Sequence, residues 1–287
     1  MGVRLIQVPY DSGLREQRMG RGPACFVEHG AVARLSEVAG SVETSVVEPG
    51  DGYPMEMALT FDLYRSVAAQ VSAAHDAGQF PLVLAGNCHT MVGVLAGHGE
   101  REVALIWFDA HGDINTPETT TSGLLDGMPV AMITGRCWTA MTGTIPGFRL
   151  LPDDRVALVG VRDLDEAEAG LLEASAIRLV PWEQIRDSGA SVALAPVLDS
   201  WSGRVDGVHI HIDLDVHDPA CVPANPYQPA GGSSPEQVRD CVQAIAGKLP
   251  VVGATVTAYD PAADPEGKGL EVGLELIAML GQLGQGK

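Results

Sequence analysis

The chain has 287 residues, 46% of them apolar, with a formal net charge of −19 and a mean hydropathy of +0.11. This composition supports a sizeable core, and the negative charge argues against nucleic-acid or anionic-membrane partners. The five cysteines are scattered without a CxxC pair, and the first residues lack a signal-peptide pattern, so we expect a reducing, cytoplasmic location. No apolar run reaches the roughly 18 residues that a membrane span requires.

Eight short apolar runs alternate with longer amphipathic stretches along the chain. Most of the short runs are continuously apolar, as expected for β-strands that are covered on both faces. The predicted strands are 3–8, 41–47, 80–84, 103–108, 156–161, 177–180, 208–212 and 251–257. The predicted helices are 23–38, 55–77, 90–97, 165–174, 191–200, 235–248 and 271–283.

The alternation predicts a parallel sheet with helices on both sides. Periodicity alone fits a closed (β/α)₈ barrel as well as an open doubly wound sheet, and both folds place working residues on the loops that follow strands. We find no linker and no internal repeat, so we predict a single domain over 1–287.

Three segments that follow predicted strands carry carboxylates and imidazoles. The candidate metal ligands are His89, Asp109, His111, Asp113, Asp213 and Asp215. If the chain stays extended after 108 and after 212, side chains at alternate positions point to the same side. Buried together, these carboxylates would repel one another unless divalent cations were bound. A carboxylate-rich set suits Mn²⁺ and related octahedral metals better than structural Zn²⁺, and a pair of such cations acidifies a shared water.

Other polar residues near these segments have simpler interpretations. His209 and His211 lie on the strand face that carries Asp213 but deeper in the sheet, so we expect core or supporting histidines. Cys88 is expected to be a small buried neighbour of His89. His217 could support a neighbouring ligand.

Together these segments resemble the arginase (ureohydrolase) family, which includes agmatinase and formimidoylglutamase. The resemblance covers nearly the whole chain, through the segments 20–23, 86–89, 109–117, 119–123, 159–165 and 211–219. It implies a three-layer α/β/α sandwich with an eight-stranded, mostly parallel sheet, and not a barrel. It also implies Mn²⁺-dependent hydrolysis of a guanidino or amidino C–N bond.

The resemblance assigns roles to individual residues. One Mn²⁺ would be bound by His89, Asp109, Asp113 and Asp213, and the other by Asp109, His111, Asp213 and Asp215. Asn115, Thr120 and Ser122 match positions that hold an α-carboxylate, whereas Asp165 and Glu168 match positions that attend an α-amino group. The implied ligand is therefore an arginine-like small molecule, and Ni²⁺, Co²⁺ or Fe²⁺ remain alternatives to Mn²⁺.

The chain departs from the family pattern at three positions. Asp126 occupies the position of a proton-shuttling histidine, Ala258 that of a guanidinium-binding glutamate, and Leu124 that of an amide. Asp126 could transfer the proton, or it could supply the negative charge that the family glutamate would carry at 258. Asp260 could supply that charge instead if the alignment slips by two residues. We place Asp126 and Asp113 in catalysis.

These departures favour a less basic guanidine. Around 115–120 and 209–213 the chain resembles an N-hydroxyarginine-hydrolysing branch of the family that serves antibiotic biosynthesis. The prediction is a binuclear Mn²⁺ hydrolase in which a metal-bridging hydroxide attacks an arginine-like guanidine, with N-hydroxy-L-arginine as the favoured substrate. The alternatives are a guanidino acid or amine such as guanidinobutyrate or agmatine, and a metal-binding relative without catalysis. We expect no nucleic-acid or membrane partner, and assembly into a homo-oligomer stays open.

Overall fold

The computed structural model describes residues 2–50 and 55–284. These residues contain ten strands: β1 (Gly2–Val8), β2 (Tyr10–Asp11), β3 (Leu14–Arg15), β4 (Val42–Val46), β5 (Gln79–Ala85), β6 (Val103–Phe108), β7 (Val156–Val159), β8 (Arg178–Val180), β9 (Gly207–Asp213) and β10 (Val251–Thr257). The predicted single domain over 1–287 includes Met1, 51–54 and 285–287, which lie outside the described residues.

The same residues contain eleven α-helices. They are α1 (Gly22–Glu28), α2 (Ala31–Val38), α3 (Glu56–Asp76), α4 (Met91–Gly97), α5 (Pro129–Ile133), α6 (Thr139–Thr142), α7 (Glu166–Glu173), α8 (Trp182–Ser188), α9 (Ala190–Trp201), α10 (Pro235–Lys248) and α11 (Lys268–Leu283). The helix predicted over 23–38 is divided into α1 and α2 at Gly30, whose φ of 101° cannot continue a right-handed helix.

All eight predicted strands join one parallel sheet in the order β4-β1-β5-β10-β9-β6-β7-β8. Strands β4 and β8 form its two edges, so the sheet is open and the barrel alternative is wrong. The hairpin of β2 and β3 was not predicted from the sequence, because two-residue strands carry no periodic signal.

Two helical layers cover the sheet. Helices α1, α2, α9, α10 and α11 pack on one face, and α3, α4 and α5 pack on the other. Successive strand residues serve opposite faces, as Ile106 and Trp107 do on β6. This arrangement confirms the three-layer α/β/α fold and explains why the strands are apolar at consecutive positions.

The carboxyl ends of the central strands β5, β10, β9 and β6 meet at one edge of the sheet. Gly86, directly after β5, allows the β2–β3 hairpin to approach that edge, because a Cβ there would lie 2.2 Å from the carbonyl oxygen of Tyr10. The approach lets the Ser12 amide donate to Asn87 Oδ1 at 2.8 Å. The hairpin thus forms a wall beside the strand ends.

Among the described helices, none is both long enough and apolar enough to cross a membrane.

Candidate metal centre and substrate cavity

A cavity of about 260 Å³ opens at the carboxyl edge of the sheet. In the described part of the chain its lining is strongly acidic, comprising Asp11, Asp109, Asp113, Asp126, Asp163, Asp165, Glu168, Asp213 and Asp215. Five of the six candidate metal ligands line it, together with most of the candidate substrate residues. The strand-end segments therefore converge as predicted, because parallel strands end at a common edge.

Asp213 and Asp215 reach the cavity by a different local geometry from the one predicted. Asp213 is the last residue of β9, but Asp215 lies in a 3₁₀ turn over Leu214–Val216 instead of an extended segment. The Asp215 amide donates to Asp213 Oδ1 at 2.8 Å, so the first carboxylate fixes the turn that carries the second.

Extended geometry also ends early in the segment that follows β6. His111 forms an isolated parallel bridge with Asp163, and its amide donates to Asp109 Oδ1 at 2.7 Å. Asp113 has a φ of 50°, in the left-handed region, so the expected extended alternation does not reach it. A backbone turn brings Asp113 into the cavity.

Electrostatics make this carboxylate cluster unfavourable without a cation. Burial, and next the neighbouring Asp215, raise the pKa of Asp109 to about 6, and burial followed by Asp215 and Asp109 raises the pKa of Asp213 well above its ordinary value. Burial and the Asp109 carboxylate raise the pKa of Asp113 as well. These raised pKa values reflect the cost of burying several carboxylates together, and a bound divalent cation would offset that cost.

His111 is the imidazole that lies between two of these carboxylates. Its Nδ1 lies 3.3 Å from both Asp109 Oδ1 and Asp215 Oδ2. Burial lowers the pKa of His111, but these two carboxylates outweigh burial and raise it overall. Asp109, His111 and Asp215 each offer a ligand atom within 4.8 Å of the others, which fits a metal position.

His89 is buried beside the cavity but does not line it. Within the described residues its Nδ1 and Nε2 both lack a hydrogen-bond partner, and its ring centroid lies 5.6 Å from that of Tyr64. Buried imidazole nitrogens without partners are costly, and a metal ion would satisfy one of them. The residue therefore fits the metal-ligand hypothesis chemically.

The candidate substrate residues are tied to one another. Asn115 Nδ2 donates to Asp165 Oδ2 at 3.0 Å, and Glu168 accepts at 3.1 Å from the amides of both Ile114 and Asp165. Glu168 is buried, and burial is the main cause of its raised pKa. It joins the loop after β6 to the start of α7 as well as lining the cavity.

Ser122 lines the cavity, whereas Thr120 does not. Thr120 Oγ1 accepts from the Gly123 amide at 3.0 Å and lies 3.4 Å from Ser122 Oγ. Its contacts therefore shape the loop that presents Ser122.

Asp126 is held at the cavity by two donors. Asn87 Nδ2 donates to its Oδ2 at 2.7 Å, and the His89 amide donates to its Oδ1 at 3.0 Å. Burial raises the pKa of Asp126 to about 7 despite these two hydrogen bonds. The carboxyl group is therefore fixed in position with one donor on each oxygen.

The structure distinguishes the two proposed replacements for the missing glutamate. Ala258 and Leu124 both line the cavity. Asp260 does not, since its Oδ1 accepts from Arg21 at 2.9 Å and from the Ala262 amide at 2.9 Å. Of the two proposed replacements, Asp126 is thus the one that lines the cavity.

Sequence reasoning missed two walls of the cavity. Asp11 and Arg18 line it from the β2–β3 hairpin region and form an ion pair at 2.8 Å. On the opposite side, Asn225 Nδ2 donates to the Ala258 carbonyl at 3.0 Å, and Tyr227 is half exposed at the rim. Asp11 follows the predicted strand 3–8, but none of these residues stands in one of the three ligand segments, so the sequence did not connect them to the site.

Arg162 supports the third ligand segment from the loop after β7. Its Nη2 donates to the carbonyl oxygens of Asp215 at 2.8 Å, His217 at 3.1 Å and Pro229 at 3.1 Å. His217 is buried and its Nδ1 contacts the Leu214 carbonyl oxygen at 2.9 Å. His217 therefore adds a second contact to the turn that carries Asp215.

Comparison with known proteins gives a consistent result. The family model described as "Arginase family" matches residues 1–281. The chain belongs to the arginase family. It is 29% identical to the arginase of Bacillus caldovelox, over 97% of each chain.

Solved structures of the family share the fold. The structure of Bacillus caldovelox arginase superposes with a TM-score of 0.87 at 28% identity, covering 100% of this chain and 99% of that one. Formimidoylglutamase from Bacillus subtilis has a TM-score of 0.77 at 18% identity, over 98% and 87% of the two chains, which shows a common fold. The chain is therefore a metal-dependent hydrolase of the arginase family, with the eight-stranded fold that the resemblance implied.

Proposed function

We propose that this arginase-family hydrolase binds two divalent cations, with Mn²⁺ favoured over Ni²⁺, Co²⁺ or Fe²⁺, and cleaves a guanidino C–N bond of an arginine-like amino acid. The main support is the convergence of four buried aspartates and His111 on one acidic cavity. When bound, such cations activate water as a nucleophile near neutral pH. The proposed ligands are His89, Asp109, Asp113 and Asp213 for one cation, and Asp109, His111, Asp213 and Asp215 for the other.

The amino-acid end of the substrate would lie against the loops after β6 and β7. Asp165 and Glu168 supply negative charge for an α-amino group, and Asn115 and Ser122 supply polar groups for a carboxylate. Arg18 adds a guanidinium to the lining on the hairpin side. This division of charge suits a zwitterionic head better than a bare amine.

The guanidino end would lie near Asp126 and Ala258. Without a glutamate at 258, no carboxylate on that strand faces a cationic guanidinium, and Asp126 approaches from another wall. An N-hydroxylated guanidine is less basic and requires less compensating charge, so N-hydroxy-L-arginine is the proposed substrate. Asp126 is fixed by its two hydrogen-bond donors and would hold the proton that the leaving amine takes up. Asp113 would act in catalysis beside it.

Product release from four guanidines tests this proposal. Protein loaded with Mn²⁺ is assayed for urea or hydroxyurea with N-hydroxy-L-arginine, arginine, agmatine and guanidinobutyrate. We expect N-hydroxy-L-arginine to give the highest kcat/KM, with agmatine and guanidinobutyrate lowest. Faster turnover of agmatine would contradict the amino-acid assignment, and no product from any of the four would contradict the hydrolase proposal itself.

Asp126→Asn tests the proton-transfer role. Because the amide keeps the size of the side chain but cannot hold an acidic proton, kcat should fall by about 10²–10⁴-fold, while metal content measured by elemental analysis stays the same. Asp187→Asn is the control, since Asp187 is exposed and pairs with Arg186 on the surface. An unchanged kcat in Asp126→Asn would show that Asp126 only holds Asn87 and His89 in place and does not transfer a proton.

A further inference from the structure

A sulfur atom lines the acidic cavity, and a buried imidazole lies behind that lining. Cys88 Sγ lies 2.9 Å from Asp213 Oδ2, 3.0 Å from Thr257 Oγ1 and 3.9 Å from Asp109 Oδ2. His211 Nε2 lies 3.5 Å from the same Thr257 hydroxyl. All five residues are buried.

Pairing between neighbouring strands holds this cluster in place. In the register of the sheet, His211 on β9 is paired with Trp107 on β6, and Thr257 on β10 is paired with Asp213. The His211 ring lies over Trp107, with ring centroids 3.8 Å apart, so packing restricts its orientation. The cluster is therefore more rigid than the loops around the cavity mouth, as a metal-binding position requires.

Hydrogen bonding among the described residues does not account fully for His211. Its Nδ1 is buried without a hydrogen-bond partner there, whereas the Asp109 carboxylate accepts from Trp107 Nε1 at 2.9 Å. Cys88, Asp109 and His211 each offer a ligand atom within 4.8 Å of the other two. A thiolate, an imidazole and a carboxylate form a donor set that transition metals accept.

Cys88, which we expected only as a small buried neighbour of His89, lines the cavity itself. Of residues 88 and 89, the cysteine lines the cavity and the histidine does not. Within the described residues, Cys88 is the one cysteine in the lining. The donor set at the base of the site is thus softer than the oxygen-rich set at its rim.

We propose that, in place of one of the two ligand sets named above, Cys88 and His211 with Asp109 bind one of the two cations, and that the sulfur makes this one position, unlike the oxygen-rich one, prefer Co²⁺ or Zn²⁺ over Mn²⁺. Thiolate and imidazole ligands favour these softer ions, whereas Mn²⁺ favours oxygen ligands. Binding releases the thiol proton to solvent, because the thiolate is the ligand form. This inference rests on the proposed function, since it specifies the ligands of the same metal centre, but its test does not depend on turnover.

Cobalt spectroscopy on the full-length protein tests sulfur coordination directly. Metal-free protein is titrated with Co²⁺, and a thiolate-to-cobalt charge-transfer band is sought in the near-ultraviolet. We expect the band in the wild-type protein, its loss in Cys88→Ser and its retention in Cys241→Ser, because Cys241 is a buried thiol of α10 outside the cavity. His211→Asn should keep the band and weaken Co²⁺ binding by at least about tenfold.

Metal competition tests the proposed preference. Because most protein sites bind Zn²⁺ more tightly than Mn²⁺, the comparison between variants decides: with equal amounts of Zn²⁺ and Mn²⁺, the ratio of bound Zn²⁺ to bound Mn²⁺ found by elemental analysis should be lower in Cys88→Ser than in the wild-type protein. Circular dichroism checks that each variant is folded. If Cys88→Ser does not fold, the wild-type cobalt spectrum still decides, since no other cysteine of the described residues lines the cavity.

The outcomes separate this inference from the proposed function. Bound Co²⁺ without a charge-transfer band, or an unchanged band in Cys88→Ser, would overturn the sulfur ligand, and continued urea or hydroxyurea release would leave the proposed function standing. A Cys88-dependent band with no product from any guanidine would support the ligand and contradict the proposed function. Failure to bind any cation would overturn both.

Discussion

One face of β9 carries two buried polar regions that are stabilised differently. Toward its amino end, His209 Nδ1 lies 3.0 Å from His98 Nε2, and His209 Nε2 lies 2.9 Å from Thr255 Oγ1. The chain continues through His98 Nδ1, which lies 3.0 Å from His75 Nε2. Toward the carboxyl end, Asp213 lies among other carboxylates. The histidine chain is satisfied by hydrogen bonds between neutral rings, whereas the carboxylates require protons or a cation.

The two regions therefore respond oppositely to pH. Burial lowers the pKa of His98 and His209 well below the ordinary value, so both rings are neutral in the folded protein. Burial and neighbouring carboxylates raise the pKa values of Asp109 and Asp213. In the metal-free protein, acid weakens the histidine chain and base weakens the carboxylate cluster. Two equally buried polar groups can therefore differ in whether they need a bound cation to be stable.

The largest effect is expected from replacing Asp213, the carboxylate proposed to be shared by both metals. In Asp213→Ala we expect loss of both bound cations and of turnover to background, because Asp213 is proposed to bind both metals. Elemental analysis and product release measure these losses together. Full retention of either would show that Asp213 is not a shared ligand.

Removing metal should destabilise the protein more at pH 8 than at pH 5.5. A carboxyl group with a raised folded-state pKa stabilises the metal-free protein below its unfolded value, near 3.9. That contribution is lost as the pH rises through the folded value, about 6 for Asp109. With free metal at about 100 times Kd, chelation at pH 8 should lower the free energy of unfolding by about 3 kcal/mol.

Urea denaturation with and without chelator measures this difference. A sample with chelator and excess metal is the control. Equal effects of chelation at both pH values would contradict the role of the buried carboxylates.

Interrupting the histidine chain should give a smaller effect that does not depend on metal. The two ring nitrogens of His98 contact His75 and His209, whereas both polar atoms of a glutamine lie at one end of its side chain. In His98→Gln the two neighbours therefore cannot both keep their partner, and we expect a cost of about 1–3 kcal/mol at pH 7.5. In the wild-type protein, the contribution of His98 is present above its unfolded pKa, near 6.5, and is lost as the pH falls toward its folded value. The variant should therefore lose less stability than the wild type between pH 7 and pH 5, measured by urea denaturation with chelator present.

The smallest effect is expected at the outer end of the histidine chain. His75 is half-buried, and burial lowers its pKa to about 4. His75→Gln keeps a polar partner for His98 and should cost less than about 1 kcal/mol. A loss as large as that of His98→Gln would show that the chain acts as one unit, not as a series of pairs.

Much of the fold could be predicted because apolar runs mark buried parallel strands. The strand ends also predicted where Asp109 and Asp213 would meet, since parallel strands share an edge. The turn at Asp113 could not be predicted, because its φ of 50° depends on packing around the loop. The contact between His75 and His98 was equally hidden, since it joins α3 to the end of α4 and neither histidine stands in a motif.

The backbone contacts of Arg162 have a consequence for altering this protein. Among the described residues, the Arg162 guanidinium donates to carbonyl oxygens, so Pro229 and Ala230 contribute to this anchorage through their main chain. Side-chain substitutions at these two positions should therefore leave the turn that carries Asp215 anchored. Libraries that vary Pro229 and Ala230 are expected to alter the loop that follows Tyr227 without lowering the metal content proposed for the site.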